Sequence, residues 1–103
     1  MIELSEETKI RIVLLFSDSE QEAASDILLK ECGDNIAGIE AAYTNLAERT
    51  RFAVLKLSEG DLLVLSQQVQ EAGEDFRDVL VAAGFAESLK AHLDWVPARR
   101  EGM

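Results

Sequence analysis

The sequence predicts an all-α protein, a compact bundle of five to six helices joined by short connections that end on glycine. Three observations predict it. Apolar residues recur at helical spacing in five segments. Gly33, Gly60, Gly73 and Gly84 each follow a periodic run where a helix would stop, and glycine takes up the left-handed backbone of a helix exit without steric cost. The composition is globular, with 48% hydrophobic and 29% charged residues in a chain of 103. A compact chain of this length has a radius of gyration of about 13 Å. Residues 1–97 read as one helical domain and residues 98–103 as a disordered tail with nothing to bury.

The first helix is expected after Leu4, with Ser5 as its cap and Glu6 and Glu7 where the helix dipole is positive. Ile10, Val13 and Leu14 would share its inner face. Residues 9–16 also read as a strand, because Ile10, Ile12, Leu14 and Phe16 alternate. No other stretch offers a convincing strand, and a lone strand leaves its backbone groups unpaired. A helix is therefore expected. The strand alternative would pair this segment with the same segment of a second molecule and make the protein an obligate dimer.

Ser17, Asp18 and Ser19 can cap a second helix over residues 20–32, with Ala24, Ile27 and Leu28 inward and Lys30 near its negative end. Glu31 on the same stripe brings the last turn out of the core. After Gly33, Asp34 or Asn35 can cap a third helical segment running to about residue 58. Ile36, Ile39, Tyr43, Leu46, Thr50, Ala53, Val54 and Leu57 fall within about 60° of one direction. Unbroken, this helix would extend about 34 Å and form the spine of the bundle. Phe52 and Leu55 point off the stripe, so its second half should meet neighbours on more than one side.

Asp61 caps the next helix, whose inner face is Leu65, Val69 and Ala72 with Leu62, and Gly73 is expected to close it. Asp75 caps a short helix with Phe76, Val79, Leu80 and Ala83 inward. Gly84 at the left-handed position and Phe85 after it predict a Schellman exit with a contact from Phe85 back to Leu80. A last helix carries Leu89, His92, Leu93 and Val96 on one side and stops at Pro97.

The charge is −10, from twenty Asp and Glu against ten Lys and Arg. Such a surface repels phosphate backbones and attracts basic proteins, so nucleic-acid binding is disfavoured and a protein partner, or self-association as a homodimer, is expected. One cysteine allows no internal disulfide, and the start is acidic where a secretory leader would be basic and then apolar. The longest uncharged run, residues 62–70, is too short to span a bilayer. No membrane contact and a cytoplasmic location are expected.

No assembled chemistry is visible. Cys32 and His92 are the sole residues of their types and stand sixty apart, and Leu89 stands where a Glu-x-x-His metal motif needs its glutamate. Glu71, Glu74, Asp75 and Asp78 lack the loop spacing and central glycine of a calcium hand. No catalytic, cofactor or metal residue is assigned. The candidate interaction residues are Arg49, Phe52 and Lys56, read as a cationic face that meets a negative partner or pairs with acids of neighbouring helices, and Trp95, which anchors either its own helix or a partner.

The run Asp75-Phe76-Arg77-Asp78-Val79-Leu80-Val81-Ala82-Ala83-Gly84-Phe85, with Glu48-Arg49 and residues 52–57 upstream and His92 and Trp95 downstream, resembles a family of small uncharacterised bacterial all-helical proteins. The resemblance spans most of the chain. It implies an all-helical fold and no particular activity. Three functions follow from these readings: a small helical interaction or regulatory module, an acidic immunity-type inhibitor of a basic protein, or an enzyme whose site a single sequence does not reveal.

Overall fold

A computed structural model describes residues 2–36, 39 and 45–97. Among them are five helices, α1 (Glu6–Leu15), α2 (Asp18–Glu31), α3 (Leu46–Ser58), α4 (Leu62–Glu74) and α5 (Phe76–Ala83), followed by a 3-10 turn at Ala91–Asp94. No described residue is in a strand, so the extended alternative for residues 9–16 is overturned. The fold is an all-α bundle with α3 at its centre, packed against α1, α4, α5 and the 3-10 turn, while α2 lies on α1 and α4. The radius of gyration is 12.4 Å.

The Ser5 hydroxyl accepts the Thr8 N–H at 3.1 Å and starts α1 as expected. The inner face of α1 differs from expectation. Thr8, Arg11 and Ile12 are buried, with Phe16 just beyond the helix, whereas Ile10 and Val13 are 48% and 58% exposed. Apolar residues occupy five of the last six positions of this helix, so periodicity alone cannot choose a side. The core selects the side that also carries Arg11, whose hydrogen bonds hold the far end of the chain. In α2, Ala24 and Leu28 are buried and Ile27 packs against the core. Ser17 occupies the N-cap position but donates to the Glu20 carboxylate at 3.1 Å instead of capping.

The expected unbroken spine does not form. Asp34 and Asn35 lie in a turn, Asn45 is left-handed at φ 46°, and α3 begins at Leu46. Asn35 closes over α2 instead of starting a helix: its amide donates to Glu31 O at 3.0 Å and its side-chain oxygen accepts the Gly33 N–H at 3.0 Å. Tyr43 lies outside the described residues. The shorter α3 still acts as the hub. Phe52 and Leu55 are fully buried together with Ala53 and Val54, so this helix meets neighbours on several sides.

Two connections follow local rules. The Asp61 carboxylate accepts the N–H groups of Leu63 and Val64 at 2.8 and 3.1 Å. At the end of α5, Gly84 has φ 83°, Phe85 N–H reaches Leu80 O at 2.9 Å and Gly84 N–H reaches Val81 O at 3.1 Å, the two bonds of a Schellman motif. Leu80 and Phe85 both belong to the buried core. Gly73 corrects the expected pattern, because it lies inside α4. Asp75 makes that junction alone: its N–H closes α4 on Glu71 O, and its carboxylate accepts the Arg77 N–H at 3.0 Å to open α5.

The last helix is also corrected. Residues 89–97 hold a single 3-10 turn, with His92 buried but Leu89, Leu93 and Val96 exposed. In a continued helix the Leu93 carbonyl would need the N–H of residue 97, and Pro97 has none. Arg11 supplies the donor instead, at 3.4 Å to Leu93 O and 3.1 Å to Trp95 O. The expected tail, residues 98–103, lies outside the described residues.

Candidate functional site

The residues expected to form a cationic face are turned inward. Phe52 has no exposed surface and Arg49 is nearly buried. Arg49 donates to Phe85 O and Lys56 to Ala83 O, each at 2.9 Å, and the Lys56 ammonium stands 5.0 Å over the Phe85 ring. These cations cover carbonyls at the end of α5, where the helix dipole is negative, and among the described residues no acid pairs with them. An exposed Arg49–Phe52–Lys56 stripe is thus overturned. Trp95 is half-buried, with its ring 6.3 Å from those of Phe52 and Phe85, and it fastens the final segment to the bundle.

Two more arginines are spent on backbone carbonyls. Arg51, among the largest buried side chains, donates through Nε to Cys32 O at 2.7 Å, through Nη1 to Glu3 O at 2.9 Å and through Nη2 to Ile2 O at 2.7 Å. A Cβ on Gly33 would lie 2.9 Å from Arg51 Nη2, so a side chain there would have to displace the clasping guanidinium; no left-handed turn is involved. Arg11 bonds Glu7 O at 3.0 Å besides the Leu93 and Trp95 carbonyls, and its guanidinium stands 4.5 Å over Phe52. Sequence reasoning missed both clasps. The one available signal was Arg11 placed between two isoleucines in an apolar run.

The groups closest to reactive chemistry are occupied. His92 is fully buried, with Nε2 2.9 Å from Glu48 Oε2 and no partner at Nδ1 among the described residues. Burial disfavours the Glu48 carboxylate, but hydrogen bonds from Ser5 and His92 and the charges of His92 and Arg11 outweigh it and hold its pKa below the usual range. Cys32 is sealed, and burial pushes its thiol up to about 12 against the opposing effect of Arg51. A thiol held protonated is a poor nucleophile. Asp75 is engaged with Arg77 at 3.0 and 3.2 Å, and among the described residues no three His, Cys, Asp or Glu converge as metal ligands.

Two described grooves are shallow. One of about 410 Å³ lies between the end of α2 and α4, lined by Glu31, Asn35, Ser66, Val69, Gln70 and Gly73. A second of about 320 Å³ runs along Gln67, Gln70, Glu71 and Glu74. Neither reaches His92 or Cys32.

The surface is more acidic than the sequence suggests. Among the described residues fifteen carboxylate side chains are exposed, but only four cations are: Lys9, Lys30, Arg77 and Lys90. Lys9 is paired with Glu6 and Arg77 with Asp75. Among the described residues, no helix is long and apolar enough to cross a membrane.

No protein-family model, curated protein or solved structure matches the chain.

Proposed function

We propose that the chain is a small acidic protein-interaction module, located in the cytoplasm, that acts through its surface and needs no cofactor. The exposed carboxylate excess is the observation that carries this reading. Folding removes Arg11, Arg49 and Arg51 from the surface, so what a partner meets is a dense field of negative charge. Such a field speeds encounter with basic proteins and repels nucleic-acid phosphates. The same observation favours a specific form of the reading, a neutraliser of a basic protein in the manner of an immunity-type inhibitor.

The enzyme reading named no site, and a deep polar pocket holding Cys32 or His92 would have favoured it. One is a buried protonated thiol and the other is tied to Glu48, and neither of the two grooves described above reaches them. The test is affinity capture from lysate of the source organism at low and high salt. A basic protein retained at low salt and released at high salt is expected, because screening weakens attraction between exposed charges. Capture of no basic protein at low salt overturns the reading.

A further inference from the structure

The helices hold the chain firmly as far as Phe85. Its N–H reaches Leu80 O at 2.9 Å, Arg49 donates to its carbonyl at 2.9 Å, and Lys56 holds Ala83 O just before it. Beyond it Ala86, Glu87, Ser88, Leu89 and Lys90 are all exposed. Among the described residues their hydrogen bonds are local, with Ser88 Oγ accepting Lys90 N–H at 3.1 Å, Ser88 O accepting Ala91 N–H at 3.4 Å and Lys90 O accepting Leu93 N–H at 3.0 Å. Five residues therefore form a tether.

The chain docks again at residues 91–97. His92 and Pro97 are buried, Ala91 and Trp95 pack partly against the core, and Leu93, Asp94 and Val96 remain in water. The 3-10 turn lies on α3, and α1 reaches the segment through the Arg11 side chain. The polar ties are Arg11 to Trp95 O at 3.1 Å and to Leu93 O at 3.4 Å, and Glu48 to His92 at 2.9 Å. The His92 and Trp95 rings add edge contacts to Phe52 at 4.8 and 6.3 Å. Arg51 grips the opposite end of the chain with shorter bonds, 2.9 Å to Glu3 O and 2.7 Å to Ile2 O. Docking also leaves His92 Nδ1 buried with no partner among the described residues, a cost that exposure to water removes.

The face beneath is complete without this segment. Arg11 keeps its bond to Glu7 O at 3.0 Å and its place 4.5 Å over the Phe52 ring, and Phe52 belongs to the core that joins α3 to its neighbours. A stretch with few buried side chains, docked by a handful of ties at the end of an exposed tether, is a unit of low local stability. We propose that residues 91–97 are a releasable strap, which lifts on the 86–90 tether while α1–α5 stay folded and uncovers the face formed by Arg11, Glu48 and Phe52. That face differs from the rest of the surface. It presents a guanidinium, a carboxylate and an aromatic ring together, where the exposed charge elsewhere is mostly carboxylate. The strap covers it with two carbonyls, an imidazole and an indole.

The inference goes beyond the proposed function and is tested separately from it, on the purified chain alone, with Trp95 as the sole tryptophan and so the reporter. A urea titration is followed by Trp95 emission and by circular dichroism of the helices. The emission should shift to longer wavelength in a shallow early phase, before the helices are lost, because the strap exposes little surface and unfolds as its own unit. Arg11→Met should widen the gap by moving the emission midpoint to lower urea more than the helical midpoint. Glu48→Gln, which leaves Arg11 in place, should widen it less, and it decides alone if Arg11→Met does not fold. Coincident curves in the wild type overturn the proposal, as does a variant that moves both midpoints equally. Neither result bears on capture of a basic protein, whose failure would in turn leave the strap standing.

Discussion

The α3–α5 unit and the two terminal segments of the described chain are held by different physics. Within the unit, helices α3, α4 and α5 interlock through Phe52, Leu55, Leu65, Val69, Val79 and Leu80, all buried and apolar. The termini are fastened largely by arginine. Arg51 gathers Ile2, Glu3 and Cys32, and Arg11 gathers Leu93 and Trp95, with the Glu48–His92 contact and the Trp95 ring beside it. Apolar packing tolerates a change of shape if volume is kept, whereas a guanidinium bound to several carbonyls has no substitute of equal geometry. The difference teaches where this chain is sensitive to chemistry rather than to volume.

Arg51→Met should break the arginine-held region most severely. It keeps an apolar stem but strands three carbonyls, and a loss of about 3–5 kcal/mol is expected in urea denaturation, the range for breaking a buried charged contact. Hydrogen exchange should accelerate at the end of α2 more than in α4. Equal acceleration in both would erase the distinction between the two regions.

Glu48→Gln sharpens the comparison through pH. The folded carboxyl titrates below its ordinary value, so its stabilising contribution is present above about pH 4.3 and is lost as the pH falls through the depressed folded value. The wild type should exceed the variant by about 1–2 kcal/mol at neutral pH, a hydrogen-bonded charge discounted for partial exposure. The gap should close in strong acid. A gap independent of pH would assign Glu48 a packing role only.

The smallest effects come from the packed unit, at two glycines with open space where a Cβ would stand. Gly84 has φ 83°, and Gly84→Ala should cost about 1 kcal/mol by forcing a side chain into the left-handed region. Gly73 sits inside α4 with no such requirement, and Gly73→Ala should stabilise by about 0.5–1 kcal/mol. Opposite shifts of the melting midpoint are the expected result. Two shifts of the same sign would remove backbone conformation as the explanation.

What could be read from the sequence was local. The caps at Ser5, Asp61 and Asp75 and the exit at Gly84 depend on residues two to five positions apart, and the residue types announce them. The inner face of α1 was not legible, because apolar residues surround that helix and only tertiary packing selects Ile12 and Phe16 over Ile10 and Val13. Arg51 was illegible for a different reason. Its partners stand 19, 48 and 49 residues away and are carbonyls, which every residue carries, so nothing in their identity marks them. For the same reason Arg49 and Lys56 read as a surface stripe until the end of α5 is placed beneath them. The false helix at residues 89–96 came from a sound period with a missing donor at Pro97.

Drawing arginines inward also changes how the folded chain presents itself to trypsin. Arg11, Arg49 and Arg51 are shut away from the protease, while Lys9, Lys30 and Arg77 sit within helices that resist the extended shape cleavage requires. Among the described residues, Lys90 is the exposed basic residue outside a helix, immediately before the 3-10 turn. A single nick there would sever the stretch bearing His92 and Trp95 from the body, so among the described residues the weakest bond to digestion lies at the root of the clasp that joins the two ends.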